Sequence, residues 1–394
     1  MNRRDLLKYL AGAPLAASAL QLYAAPAAST KLLVVFMRGG YDAANFLVPV
    51  SSSYYYEARP NISVPRPGQG TNAALPLDAD WGLHPALRDT LYKLYEKGQA
   101  AFIPFAGTDD LSRSHFETQD SIELGQALDG SRNYGSGFLN RLTETLTGAR
   151  AIAFTDQLPI AMRGGVRVPN MALRFVARPG VDTQRSAVIA SMYRNTALGA
   201  QVEEGFAVRN EVMQDLAAEM EAASRNAITT RGFELEARRI AKLMRERFNL
   251  GFVDVGGWDT HVGEGGANGY LASRLEELGR GLAGYADEMG PAWRDTIVVV
   301  ISEFGRTFRE NGNRGTDHGH GSVYWVLGGG MRGGRIAGEQ QRIEQKTLFQ
   351  NRDYPVLNEY RAVFGGLFAR LYGLGPSEIA RIFSGVQAKD IGLI

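Results

Sequence analysis

Three features of the chain predict an α/β fold with a mostly parallel central sheet and helices on both faces. Apolar, β-branched runs suited to buried strands recur along it, as in Lys31–Met37 and at 297–301. Segments of helical period separate those runs. Several of the runs also lead straight to an acid, since Asp42, Asp259 and Glu303 each follow one. In open α/β sheets ligands bind outside the carboxyl ends of the strands, so these three acids are expected on one sheet edge.

Residues 1–28 are read apart from the fold. Arg3 and Arg4 precede a weakly apolar run from Tyr9 to Tyr23, and Ala25-Pro26-Ala27 offers a small-residue cleavage site. The run is short and broken by Pro14, which suits a signal peptide rather than a membrane span. Twin arginines before Leu-Leu-Lys are similar to the twin-arginine export signal, which implies passage of a folded protein to the periplasm or beyond. The expected partner of that segment is the twin-arginine export machinery.

Residues 29–394 are expected to form one domain. The run KLLVVFM at 31–37 predicts the first strand, and it ends in the glycine turn Arg38-Gly39-Gly40-Tyr41-Asp42. Ser, Pro, Gly and Asn dominate 51–80, which predicts a long surface excursion. Helical spacing of Leu87, Leu91 and Leu94, with Pro85 in the first turn, predicts a helix over 84–96. A second strand is expected at 100–105, then a helix beginning near His115 and capped by Ser112 or Ser114. One or two strands are expected in 150–162, and 163–190 reads as irregular. A helical insertion around 200–248 holds two helices interrupted near 226–232. Further strands are expected at 248–255, 297–301 and 322–327, with helices at 269–288 and 357–371. No internal repeat or heptad array is present.

Composition narrows the function classes. Among 394 residues, 43 basic and 42 acidic side chains nearly cancel, so no field favours nucleic acid or anionic membrane. Cysteine is absent, so any metal must be held by nitrogen and oxygen. The glycines 328–330 lack the strand, G-x-G-x-x-G turn and helix that a dinucleotide needs.

Histidine is scarce and placed unevenly. Of the five, three sit beside carboxylates, in Trp258-Asp259-Thr260-His261 and in Asp317-His318-Gly319-His320. Imidazole with carboxylate is a ligand set that divalent transition metals prefer. A metal centre is therefore expected from Asp42, Asp259, His261, Glu303, His318 and His320, with Asp317 as a ligand or as an orienter of one. His84 and His115 lie outside this set and read as supporting donors, substrate contacts or surface residues.

Six ordered motifs resemble the family named domain of unknown function 1501. They are Arg38-Gly39-Gly40-x-Asp42-x-x-Asn45, Leu83-His84-Pro85-x-Leu87, Arg113-Ser114-His115-Phe116, Gly257-x-Asp259-Thr260-His261, Ser302-Glu303-Phe304-Gly305-Arg306 and Gly315-Thr316-Asp317-His318-Gly319. The resemblance covers nearly the whole of 29–394 and implies an alkaline-phosphatase-like fold, shared with the sulfatases. It places Asp42 as the acid after the first strand and Asp259 with His261 as a later ligand pair. Where that superfamily carries Asp-His after a central strand, this chain carries Glu303-Phe304, and phenylalanine cannot ligate. His318 or His320 resembles the last histidine of the pattern, and the extra imidazole replaces the lost one. One or two ions are expected, with zinc preferred and manganese or iron open.

The same resemblance puts a nucleophile at a helix start after the second strand, here Thr108-Asp109-Asp110-Leu111-Ser112-Arg113-Ser114-His115. Ser114 is the first choice, with Ser112 and Thr108 as alternatives, and the catalytic set is completed by Arg113 and His115. A hydroxyl there faces the positive end of a helix, and Arg113 is suited to grip a small anionic ester in a bidentate fashion. Two functions are compatible with these residues: a metal-dependent hydrolase of phosphate or sulfate esters, or a non-catalytic metal-stabilised binding or structural protein.

Overall fold

The computed structural model describes residues 28, 30–171, 173, 183–207 and 232–394. The paired arginines and most of the expected break in the helical insertion lie outside these residues.

The expected mixed α/β architecture is present. Eight strands form the main sheet: β1 (Lys31–Met37), β2 (Ala100–Gly107), β3 (Ala151–Phe154), β4 (Leu250–Val255), β5 (Thr296–Ser302), β6 (Ser322–Gly328), β7 (Arg335–Ile336) and β8 (Asn358–Glu359). Their order is β7-β2-β6-β5-β1-β4-β3, with β8 also pairing with β2. β1 lies at the centre and runs parallel to both neighbours, Val34 standing opposite Phe252 of β4 and Val299 of β5. β6 alone runs against its partners, antiparallel to β2 and β5.

Period-two alternation explains why β1 is apolar throughout. Leu33, Val35 and Met37 enter one core, and Leu32, Val34 and Phe36 enter the other. Helices cover both faces. α1 (His115–Leu124), α2 (Phe138–Thr145), α5 (Tyr360–Tyr372) and α6 (Pro376–Ile382) contribute to the Leu32 side, and α3 (Phe233–Glu246) and α4 (Tyr270–Met289) to the Leu33 side. α4 buries Leu271, Leu275, Leu278 and Leu282 on one stripe, as its spacing predicts.

Three stretches differ from expectation. The helix anticipated over 84–96 is split into a 3-10 turn at Pro85–Leu87 and a helix at Leu91–Glu96, because Thr90 leaves helical geometry at φ −127°, ψ −97°. Segment 51–80 is more than a surface excursion: Ser52 caps a helix at Ser53–Ala58, and Tyr55 and Arg59 within this stretch are fully buried. A helix at Thr183–Tyr193 occupies part of the stretch read as irregular.

Candidate metal centre

Parallel strands deliver the site residues to one edge, as the topology requires. β1 leads into the turn of Gly39 and Gly40, β4 runs into Asp259 and His261, and the long β5–β6 connection carries Glu303, Arg306, Asp317 and His318. Gly39 sits at φ +125°, and a Cβ there would lie 2.7 Å from the Asp259 amide nitrogen. The same close approach recurs at Gly315, where a Cβ would lie 2.4 Å from the carbonyl carbon of His261. Glycine is what lets these loops touch.

Three imidazoles converge with one carboxylate. His115, Asp259 and His318 each bring a ligand atom within 4.8 Å of the others. His261 Nε2 lies 3.1 Å from His318 Nε2 and 3.0 Å from Asp259 Oδ1. His318 Nε2 is 3.4 Å, and His115 Nε2 3.6 Å, from an Asp259 oxygen.

The opposite nitrogen of each ring is anchored. His115 Nδ1 meets Glu303 Oε1 at 2.8 Å, His261 Nδ1 meets Asp317 Oδ1 at 3.2 Å, and His318 Nδ1 meets the Arg113 carbonyl at 3.0 Å. Carboxylate and carbonyl oxygens only accept, so each Nδ1 carries the proton. In the neutral form of each ring, Nε2 is then a lone pair; a second proton on His261 would sit on Nε2 and be shared with Asp259 Oδ1, 3.0 Å away. Anchoring of this kind is how metal-ligating histidines are held.

Glu303 is the best buried of these anchors. It is fully enclosed and also accepts from the Gly39 amide at 2.8 Å, Gln119 Nε2 at 2.9 Å and Ser302 Oγ at 2.9 Å. Burial alone would raise its pKa, but the hydrogen bonds from His115 and Gln119 outweigh that and hold it below the usual range. The same His115–Glu303 hydrogen bond raises the pKa of His115. His318 moves the other way, lowered by burial and by the charges of His115 and Arg306. Phe304 packs its ring 4.9 Å from that of His115 and 5.0 Å from that of His318, an apolar wall where the resemblance led one to look for a ligand.

Arg306 completes the centre, and its role was not assigned from the sequence. Its side chain is fully buried and donates to the Gly39 and Gly40 carbonyls and to Asp259 Oδ1. Nη1 stands 3.4 Å from His261 Nε2. Burial would raise the pKa of Asp259, but the hydrogen bond and charge of Arg306 outweigh it and keep the carboxyl ionised at lower pH than usual.

Several expected residues are placed elsewhere. Asp42 is buried against Arg59, which donates to both its oxygens, so its carboxylate neutralises an arginine instead of joining the imidazoles. His320 packs on Phe349 with ring centroids 4.9 Å apart, and burial and Arg113 lower its pKa to about 4. Glu303 stands behind His115 and does not face the cluster, whereas His115, grouped above with the catalytic set, faces it. Asp317 is in the position of an orienter. The Arg113 guanidinium is held by Asp353 at 2.8 Å and Gln350 at 2.8 Å; its carbonyl is what reaches His318. His84 is enclosed, accepting from the Ala86 amide at 3.1 Å and meeting the Gly266 carbonyl at 3.0 Å. Ser114 is the N-cap residue of α1 but makes no side-chain cap, and Ser112 Oγ instead accepts from the Ser114 amide and pairs with Thr118. Thr108 Oγ1 accepts from the Asp110 amide.

The residues fit a divalent cation on two counts. His115 Nε2 is buried without a hydrogen-bond partner, and the two Nε2 lone pairs of His261 and His318 face one another at 3.1 Å. Facing lone pairs repel unless a proton or cation engages them. Among the described residues, His115, Asp259 and His318 are the one group of such side chains whose ligand atoms all lie within 4.8 Å of one another, and His261 Nε2 adjoins Asp259 and His318.

No curated protein matches the sequence. Among solved structures, the fold is similar to a 2-O GAG sulfatase at 10% identity and a TM-score of 0.38, over 89% of this chain and 72% of that one. Ps i-CgsB in complex with k-i-k-neocarrahexaose is similar at 8% identity and a TM-score of 0.38, over 92% and 75%. An alkaline phosphatase superfamily protein from Vibrio parahaemolyticus is similar at 13% identity and a TM-score of 0.34, over 79% and 64%. These likenesses are remote. Over residues 29–383 the chain matches a family model, and it belongs to that family, described as protein of unknown function (DUF1501).

Proposed function

We propose that this chain is an exported, metal-dependent hydrolase of small anionic esters, phosphate or sulfate. The observation that carries the reading is the convergence of three anchored imidazoles on Asp259. Three nitrogens and one oxygen suit zinc better than manganese or iron, and one such cluster suits one ion. When bound there, a divalent cation supplies Lewis-acid polarisation of an ester oxygen.

The chain's own residues divide the remaining work. Glu303, Asp317 and the Arg113 carbonyl fix the proton of each histidine on Nδ1 and aim Nε2 inward. Arg306 brings a buried positive charge to the same place, suited to negative charge that develops on an ester. Ser114 is the proposed nucleophile: its hydroxyl stands at the N-terminus of α1 beside His115 and is free of a capping role. Its attack would form the new O–P or O–S bond as the bond to the leaving alcohol oxygen breaks, the serine proton passing to that oxygen; water would then break the ester on Ser114, restoring its hydroxyl and releasing phosphate or sulfate. Export rests on Arg3, Arg4 and the segment that follows them, and places the mature protein in the periplasm or outside the cell. No described helix is long and apolar enough to cross a membrane.

One observation favours a second reading, a metal-stabilised binding or structural protein. Arg113, which was expected to grip the substrate, is engaged by Asp353 and Gln350. Turnover of aryl phosphate and aryl sulfate esters by zinc-loaded mature protein, alongside Ser114→Ala, decides between the two. The hydrolase reading expects turnover that the substitution abolishes; no turnover on either ester class leaves the binding-protein reading.

A further inference from the structure

Two loops supply three of the four converging groups: Asp259 and His261 come from one, His318 from the other. Backbone hydrogen bonds hold the loops side by side, from Thr316 N to the Thr260 carbonyl at 3.0 Å, from Gly263 N to the Asn313 carbonyl at 3.0 Å and from Glu264 N to the Arg314 carbonyl at 2.9 Å. Side chains bridge them too: His261 Nδ1 meets Asp317 Oδ1 at 3.2 Å and Asn311 Nδ2 donates to the His261 carbonyl at 3.0 Å, both near the surface, and a third bridge is buried. Glu264 Oε2 accepts from Thr260 Oγ1 at 2.8 Å and from Thr316 Oγ1 at 2.8 Å. Thr260 lies between Asp259 and His261, and Thr316 precedes Asp317 and His318.

Glu264 is fully buried, beside the Asp42–Arg59 pair, and its other oxygen meets Asn45 Nδ2 at 3.4 Å. Arg59 already balances Asp42, so a second negative charge there has no cation of its own. Burial, and then the neighbouring Asp42, push the Glu264 carboxyl well above the usual range. What it offers the loops is therefore an acceptor oxygen at a fixed point rather than a charge.

We propose that Glu264 is a positioning residue of the metal centre, a buried acceptor shared by one hydroxyl from each loop that sets the spacing between the Asp259–His261 loop and the His318 loop. The role rests on the metal reading above. It requires an oxygen able to take two hydroxyl donors. A glutamine carbonyl provides one, and an aliphatic side chain does not.

Co2+ binding to the mature full-length chain tests this, because its visible absorption reports coordination geometry as well as occupancy. Glu264→Gln is expected to keep the wild-type Co2+ spectrum and affinity. Glu264→Leu, and the double variant Thr260→Val/Thr316→Val, are expected to bind Co2+ at least about 10-fold more weakly with an altered spectrum, the scale of losing a group that orients metal ligands. The double variant leaves Glu264 in place and keeps side-chain volume, so it serves where Glu264→Leu does not fold. Wild-type affinity and spectrum in a folded Glu264→Leu or double variant would overturn the role, as would a Glu264→Gln variant as impaired as Glu264→Leu. Absence of Co2+ uptake by the wild type removes the metal reading itself, and the role with it.

Discussion

His115 and Glu303, 188 residues apart, form a half-buried acid–imidazole pair with Nδ1 and Oε1 2.8 Å apart. The acid is sealed at the end of the central strand β5, and the imidazole opens α1. The pair therefore ties the middle of the sheet to the first helix of the site. Its geometry turns Nε2 of His115 toward Asp259 and His318.

Replacing Glu303 by Gln keeps an acceptor for His115 but removes the charge that makes the ring a better donor. Zinc affinity is expected to fall by about 10-fold, within the range for groups that support metal-bound histidines. Competition titration with a chromophoric chelator measures it, and an unchanged affinity would show that Glu303 does not act through His115.

Asp42 separates two accounts of the centre. Because Arg59 holds both its oxygens, Asp42→Asn is expected to retain stoichiometric zinc, whereas Arg59→Met strands a buried carboxylate and costs ~3–5 kcal/mol of stability. Metal analysis and urea denaturation on the two variants check the pair of outcomes. Loss of zinc from a folded Asp42→Asn protein would restore Asp42 as a ligand.

Much of this architecture is legible in the sequence. The buried strands announce themselves as unbroken apolar runs. Of the three acids expected together on one edge, Asp259 meets the imidazoles, Glu303 stands behind His115 and Asp42 pairs with Arg59. Depth is what the sequence hides. Glu303 follows a strand just as Asp259 does, yet one is fully buried and the other nearly half exposed, because four donors close over Glu303. Arg59 was concealed in a stretch whose composition reads as surface; the run Tyr54-Tyr55-Tyr56 just before it was the available sign of burial. His318 and His320 would share a face in a strand, but here only His318 meets the cluster. Gly319 between them presses on the Arg306 backbone, where a Cβ would come within 2.4 Å.

Acid should destabilise the fold partly through His84. Burial lowers its pKa from 6.5 to about 4, so the unfolded chain takes up the proton first. The contribution is fully present above pH ~6.5 and is lost as pH falls toward ~4, amounting to ~3 kcal/mol at most. His84→Asn keeps an acceptor near the Ala86 amide without titrating, so its unfolding free energy should fall less steeply across that window. Parallel curves for the variant and the wild type would exclude His84 as a source of acid sensitivity.

Export makes a separate expectation. Changing Arg3 and Arg4 together to Lys should block appearance of the mature protein outside the cytoplasm, as read by fractionation. Undiminished export of that variant would point to another route.

The central claim is that His115, His261 and His318 aim Nε2 at one cation shared with Asp259. Elemental analysis after chelator washing and zinc reloading tests it most directly, on the wild type, on His115→Ala/His318→Ala and on His320→Ala. One zinc per chain is expected in the wild type and in His320→Ala, and none in the folded double variant. A double variant that still holds one zinc per chain, or a wild type that holds none, would contradict the account.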